Sequence, residues 1–163
     1  MTRRFRSLSE FWPYYLSEHR EPAARRLHFL GTTGAMASMV VSTAFNPIAF
    51  PLAMAGTVAL GWDAARRVEP KRAPLGHAVA MLALPTVASP IAFPAGVLWG
   101  YGCAWVGHFL IEKNRPATFQ YPVWSLASDF KVWGLMARGH LWSGDPLEEL
   151  GLEDPFEQVA AAK

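Results

Sequence analysis

The chain has 163 residues, of which 52% are apolar and 17% are charged, and its formal net charge is +2. This length suits one domain, and the charged fraction is below the roughly 25% of ordinary soluble domains. The single cysteine, Cys103, excludes an internal disulfide. The basic residues flank apolar runs and form no separate basic face, which argues against a nucleic-acid partner.

The first segment, residues 7–20, has the spacing of an amphipathic helix with aromatic and leucine side chains on one face. Ser7 and Glu10 have the spacing of a capping box, although Pro13 also allows a helix that begins at Ser9. An aromatic face opposite charged residues suits a helix that lies in a membrane interface. A helix that packs as a lid over the rest of the protein is compatible with the same pattern.

Two long stretches, 27–62 and 73–111, contain no Lys, Arg, Asp or Glu. Each is about long enough for two membrane crossings of roughly 20 residues, and each has a proline-containing break near its middle. A soluble bundle would need polar stripes along these segments, and such stripes are almost absent. The two stretches therefore predict four short membrane helices, at 28–45, 47–62, 75–92 and 95–112.

Basic residues cluster before the first apolar stretch, between the two stretches and after the second one. Under the positive-inside rule, this alternation predicts a multi-pass protein with both termini in the cytoplasm, suited to a bacterial inner membrane. The tail, 116–163, contains a second amphipathic pattern at 125–139, with one apolar side made of Leu126, Phe130, Trp133 and Ala137.

The predicted fold is thus all-α and forms a single domain over residues 1–163. It is an integral membrane bundle of four short transmembrane helices. Interfacial amphipathic helices precede and follow the bundle.

The chain has five histidines, and all of them map to the cytoplasmic side of this topology: His19, His28, His77, His108 and His140. Histidine is the commonest metal ligand, and ionisable groups at membrane depth are costly unless they pair or serve a function. His108 and Glu112 are four residues apart, so a helix would place them on one face. The spacing alone fits a hydrogen bond between His108 and Glu112 without metal as well as it fits the binding of one metal ion by both residues. His77 and His140 are interpreted as isolated interface histidines.

Two segments carry longer motifs. The first is His19-Arg-Glu-Pro-Ala-Ala-Arg-Arg-Leu-His28-Phe-Leu-Gly31, and the second is Gly107-His108-Phe-Leu-Ile-Glu112-Lys-Asn-Arg-Pro116-Ala. Both resemble signatures of the membrane-bound 2-hydroxy-fatty-acid dioxygenase family, whose fungal member acts in phytosphingosine degradation. The resemblance extends to about Gly139, and the bacterial-looking continuation after Pro116, with Asp129-Phe130, departs from the fungal form.

The resemblance implies an iron(II)-dependent dioxygenase that shortens 2-hydroxy fatty acids by one carbon, by α-oxidation at the cytoplasmic membrane interface. It implies His19, His28 and His108 as metal ligands, with Glu112 as a fourth ligand or as a partner of a ligating imidazole. A 2-hydroxy acid chelates iron through its hydroxyl and carboxylate groups, and dioxygen takes one more position. An octahedral ion then has three positions left for the protein. The implied partners are the 2-hydroxy fatty acid, dioxygen and membrane lipid.

Asn114 and Arg115 are candidates for substrate binding, since the planar guanidinium of arginine matches a carboxylate. A function of another class remains open, namely a small non-enzymatic membrane scaffold or lipid-binding protein whose histidines only line the interface. Stoichiometric iron that is lost on substitution of His108 would favour the enzyme.

Overall fold

The computed structural model describes residue 5 and residues 7–67, 75–119 and 121–156 of the chain. These residues form helices and no strands, in agreement with the all-α class expected from the sequence. A π-helical turn continues the fifth helix and a short 3₁₀ turn precedes the sixth. The elements in chain order are α1 (Leu8–Ser17), α2 (Pro22–Phe45), α3 (Ala49–Arg67), α4 (Leu75–Ala88), α5 (Ala92–Val106), the π-helical turn (Gly107–Glu112), the 3₁₀ turn (Ala117–Phe119), α6 (Pro122–Met136) and α7 (Pro146–Glu149).

The charge-free stretches form α2 to α5, but these helices do not meet the requirements of a membrane crossing. Over the ranges that the structure describes, no helix is both long and apolar enough to span a bilayer. α4 and α5 have only 14 and 15 residues, against about 20 for a crossing. α2 has 24 residues, but it includes Arg25, Arg26 and many Gly, Ser and Thr residues. The predicted integral bundle of four transmembrane helices is therefore wrong, because segments without charge are not necessarily apolar enough or long enough.

Some of the basic residues that predicted the orientation of the chain in a membrane lie outside the described residues. Residues 1–4, 6 and 68–74 contain many of the basic side chains, and residues 157–163 contain the end of the tail. The cytoplasmic location of the two termini stays a prediction.

α2 and α5 pack closely along their lengths, through small residues on both helices. A Cβ atom added to Gly31 would lie 2.9 Å from the Cβ atom of Cys103 and 3.1 Å from the carbonyl oxygen of Gly100. Glycine is therefore required at Gly31 for this approach of the two helices. His28 precedes Gly31 by about one turn of α2, so the same helix face carries the imidazole towards α5.

The aromatic core lies between α1 and α6. Phe11 and Leu16 of α1 are fully buried, and Tyr15 is nearly so, in a cluster that also contains Val132 and Met136 of α6. The cap follows the first of the two starts considered, since Ser7 precedes α1 and accepts the Glu10 amide. The apolar face of α1 is thus covered by protein, as a packing lid requires, and the prediction that this face lies in a membrane interface is wrong.

α6 turns a different face towards the core from the one that its apolar residues suggested. The buried residues are Ser125, Ser128, Val132 and Met136, whereas Leu126 and Phe130 are 55% and 43% exposed. Serine is small enough to allow α6 to approach α1 and α2 closely. The position of α6 therefore depends on side-chain size as well as on hydropathy, and it directs Asp129 towards the other two helices.

Buried Arg25 joins the start of α2 to the C-terminal segment. Its guanidinium donates to the backbone carbonyl oxygens of Leu141 at 2.8 Å, Gly144 at 2.8 Å, His19 at 2.9 Å and Arg20 at 2.5 Å. Five N–H groups in a fixed planar arrangement make arginine suited to several carbonyl acceptors at once. Arg25 thereby holds the backbone at His19 in place.

Candidate metal centre

Three buried histidines from separate parts of the chain meet at one point. His19 lies between α1 and α2, His28 lies in α2, and His108 lies in the π-helical turn after α5, with exposed fractions of 2%, 7% and 3%. One possible ligand atom from each of the three lies within 4.8 Å of the other two. Their ring centroids are 4.6, 4.7 and 5.1 Å apart. Among the described residues, no other group of His, Cys, Asp or Glu side chains has this geometry.

His19 is held by the last turn of α1. Its Nδ1–H donates to the Tyr15 carbonyl oxygen at 2.6 Å, and its ring stacks on the Tyr15 ring at 4.1 Å between centroids. Burial, with His28 and His108 as neighbours, lowers the pKa of His19 well below its ordinary value. The imidazole is therefore neutral, with its proton on Nδ1 and a lone pair on Nε2. This Nε2 atom is buried without a hydrogen-bond partner.

His28 is held by Asp129 of α6. Its Nδ1 lies 3.0 Å from Asp129 Oδ1, and the same oxygen accepts a hydrogen bond from the Tyr15 hydroxyl. Burial, and then the nearby charge of Asp129, raise the pKa of Tyr15 well above its ordinary value, so Tyr15 remains a donor. The Nε2 atom of His28 is again buried and has no hydrogen-bond partner.

His108 is held by Asn114. The Asn114 Nδ2 atom donates to the Glu18 carbonyl oxygen at 2.8 Å, so its Oδ1 atom faces His108 Nδ1 at 2.7 Å. His108 therefore donates from Nδ1, as the other two histidines do. Burial lowers the pKa of His108, which keeps this imidazole neutral as well. The π-helical geometry at His108 is of a kind that is frequent at functional sites.

The three imidazoles fit a bound metal ion. All three rings have their Nδ1 atoms engaged in hydrogen bonds, and this arrangement leaves the Nε2 atoms as the donor set. Buried polar atoms without a partner are rare in proteins, so the two unpartnered Nε2 atoms of His19 and His28 fit a role as metal ligands. Imidazole donors suit iron, zinc, copper or nickel, and therefore they do not by themselves select iron.

Glu112 does not join the three histidines. Its Oε1 atom accepts the backbone N–H of Glu21 at 2.8 Å, at the start of α2. Burial raises the pKa of this carboxyl group, whereas the Glu21 amide and the positive charge of Arg25 act in the opposite direction. The hydrogen bond from the Glu21 amide thus holds Glu112 away from the cluster, although Glu112 is only four residues from His108.

The other predicted residues lie around the cluster or away from it. Asn114 contacts His108, and Arg115 is exposed just after it, so substrate binding by either residue stays a prediction. His77 and His140 lie outside the cluster, where they pair with Asp63 at 3.1 Å and Glu149 at 3.3 Å.

The sequence reasoning missed the roles of Tyr15 and Asp129. The helical pattern over 7–20 predicts only an apolar face for Tyr15, and Asp129 lies in the continuation that departs from the fungal form, where no role is predicted for it. One signal was available, because Asp129 is the only acidic residue between Glu112 and Asp145. A lone carboxylate in an otherwise largely apolar helix indicates a specific partner.

A model of a known protein family, described as 2-hydroxy-palmitic acid dioxygenase Mpo1-like, matches residues 5–141. This range includes the three clustered histidines and the residues that hold their Nδ1 atoms. No curated protein and no solved structure shows significant similarity to the chain. The match extends over most of the 163 residues and confirms the family that the two histidine motifs predicted. The chain therefore belongs to the family described as 2-hydroxy-palmitic acid dioxygenase Mpo1-like.

Proposed function

We propose that this protein is an iron(II)-dependent dioxygenase that shortens 2-hydroxy fatty acids by one carbon. The observation that carries the proposal is the cluster of His19, His28 and His108: one possible ligand atom from each lies within 4.8 Å of the other two, and the Nε2 atoms of His19 and His28 have no hydrogen-bond partner. The family description supports the reaction and the substrate class. Ferrous iron bound by these histidines would supply the binding and activation of dioxygen.

The charge of the donor set favours the proposed substrate. Three neutral imidazoles add no negative charge, so they leave the positive charge of a divalent ion uncompensated. The site is buried, and electrostatic attraction is stronger there than in water. The site therefore favours an anionic ligand with two oxygen donors, and the carboxylate and hydroxyl groups of a 2-hydroxy acid provide these donors.

The proposed reaction balances without another substrate. A 2-hydroxy acid and one dioxygen yield the acid shorter by one carbon, carbon dioxide and water. The bond between C1 and C2 breaks, C1 leaves as carbon dioxide, and C2 becomes the new carboxyl carbon. The substrate supplies all four electrons that reduce dioxygen, so no external reductant or keto acid is required.

Exposed apolar side chains near His108 support binding of the acyl chain. Trp105, Phe109 and Leu110 are 49%, 48% and 69% exposed on the segment that carries this histidine. Exposed apolar surface of this kind often marks a site for a lipid or a partner. The proposal includes contact of the protein with lipid on the cytoplasmic side of a membrane. The substrate is an amphiphile, and basic clusters accompany the apolar stretches of the chain.

Oxygen consumption by the purified protein tests the proposal. After anaerobic loading with ferrous iron, 2-hydroxypalmitic acid should be converted into pentadecanoic acid, with equal amounts of dioxygen consumed and carbon dioxide released. Palmitic acid should give no turnover, because it lacks the hydroxyl group. His108→Ala should lose both iron and turnover, whereas His77→Ala should keep both, since His77 pairs with Asp63 outside the cluster.

Two results would contradict the proposal. The first is a protein that binds iron and consumes no dioxygen with any 2-hydroxy fatty acid. The second is an unchanged iron content and turnover in His108→Ala. A non-enzymatic scaffold or lipid-binding protein predicts neither stoichiometric iron nor a dependence on the 2-hydroxyl group.

A further inference from the structure

Asp129 connects the two helices that hold His19 and His28. Its Oδ1 atom accepts hydrogen bonds from the Tyr15 hydroxyl on α1 and from His28 Nδ1 on α2. The Asp129 side chain is 24% exposed, whereas Tyr15 and His28 are 2% and 7% exposed. A single carboxylate oxygen thus joins two buried donors from different helices.

The three clustered histidines differ in the group that accepts their Nδ1–H. His19 donates to a backbone carbonyl oxygen and His108 donates to an amide oxygen. His28 alone donates to a carboxylate. Hydrogen bonds to a charged acceptor are roughly twice as strong as neutral ones. A carboxylate acceptor also raises the basicity of a ligating imidazole.

We propose that Asp129 is a positioning residue that keeps the proton of His28 on Nδ1 and so presents its Nε2 atom to the metal. Tyr15 holds the carboxylate in the orientation that this role requires. The inference rests on the proposed metal site. Without an anionic acceptor at Nδ1, neutral histidine prefers the tautomer that carries the proton on Nε2. That tautomer has no lone pair to offer to a metal at this atom.

Tyr15 couples His28 to His19. Its ring stacks on the His19 ring, its carbonyl oxygen accepts the His19 Nδ1–H, and its hydroxyl donates to Asp129. Tyr15→Phe therefore removes the hydroxyl bond to Asp129 while it keeps the ring and the carbonyl that hold His19. The Asp129 carboxylate would remain, but with one donor fewer to orient it.

The first measurement is the tautomer of His28 in the metal-free protein, by ¹⁵N NMR of the imidazole nitrogens. In the wild-type protein, His28 should carry its proton on Nδ1. In Asp129→Asn, the side-chain amide can donate to Nδ1, and the proton should move towards Nε2. A wild-type His28 that carries its proton on Nε2 would overturn the inference, and this result does not depend on how any variant folds.

The second measurement is affinity for cobalt(II), followed by its visible absorption under competition with a chelator. Asp129→Asn should bind cobalt about 10–100-fold more weakly, the usual effect of losing such a partner of a ligating histidine. Tyr15→Phe should weaken binding by only about fivefold, because the Asp129 carboxylate remains next to His28 and loses one hydrogen bond that orients it. Asp63→Asn is the matched control, since it neutralises another aspartate paired with a histidine, and it should change affinity less than about twofold.

These outcomes separate the inference from the proposed function. If the wild-type protein binds neither cobalt(II) nor iron(II), the metal site is wrong and the role of Asp129 is wrong with it. If the wild-type protein binds metal and Asp129→Asn binds it equally well, with His28 in the same tautomer, only the role of Asp129 is overturned. A loss of affinity in Asp63→Asn as large as in Asp129→Asn would also overturn it.

Discussion

The close approach of α2 and α5 predicts that Gly31→Ala destabilises the protein. The new Cβ atom would lie 2.9 Å from the Cys103 Cβ atom and 3.1 Å from the Gly100 carbonyl oxygen. Both are atoms close to or within the backbone of α5, so the contact is relieved only if the helices move apart. Overpacking of this kind costs about 1–3 kcal/mol. The higher helix propensity of alanine offsets up to about 1 kcal/mol of this cost.

The expected net effect of Gly31→Ala is a decrease of about 1–2 kcal/mol in the free energy of unfolding, measured by urea denaturation. Gly102→Ala on α5 is the matched control. A Cβ atom there meets nothing within 4 Å, so this variant should be as stable as the wild-type protein or up to about 1 kcal/mol more stable.

A double-mutant cycle with Cys103→Gly checks the contact itself. This second substitution removes the Cβ atom that Gly31→Ala would meet, so the two changes together should destabilise less than the sum of their separate effects. Cobalt(II) affinity should fall in Gly31→Ala, because a displaced α2 carries His28 away from His108. A Gly31→Ala protein as stable as Gly102→Ala would refute the close packing of these helices.

Two other variants test contacts that surround the metal centre. Glu112→Gln should keep metal affinity within about twofold, because the Glu112 carboxylate binds the Glu21 amide and not the three histidines; glutamine keeps an oxygen that accepts this amide, so stability should change by less than about 1 kcal/mol. Metal loss as complete as in His108→Ala would show that Glu112 is a ligand. Arg25→Lys should lower the free energy of unfolding by about 2–3 kcal/mol, since an ammonium group cannot satisfy the separate carbonyl oxygens that the guanidinium binds. Arg26→Lys, at an exposed position with a single carbonyl partner, should change it by less than about 0.5 kcal/mol, and an equal loss in both variants would contradict the role of Arg25.

The sequence by itself determined the helical class and the family. Helical periodicity and proline-containing breaks are local properties of the chain, so they can be read without knowledge of the packing. The histidine motifs were sufficient for the family, because they combine several residue types at fixed spacing. The same local reasoning failed for the membrane crossings, because no described helix is both long enough and apolar enough to span a bilayer, although the stretches carry no charge.

Only the tertiary structure decided how the site is assembled. Tyr15 and Asp129 are 114 residues apart in sequence, and His28 and Asp129 are 101 apart. Their contact depends on which face α6 turns inward. The face of α6 that carries the small serines is buried, in place of the more apolar face that hydropathy predicts, and glycine on α2 allows the close approach of α5. Such contacts arise from the shapes of surfaces on different helices, and a pattern within one helix does not contain that information.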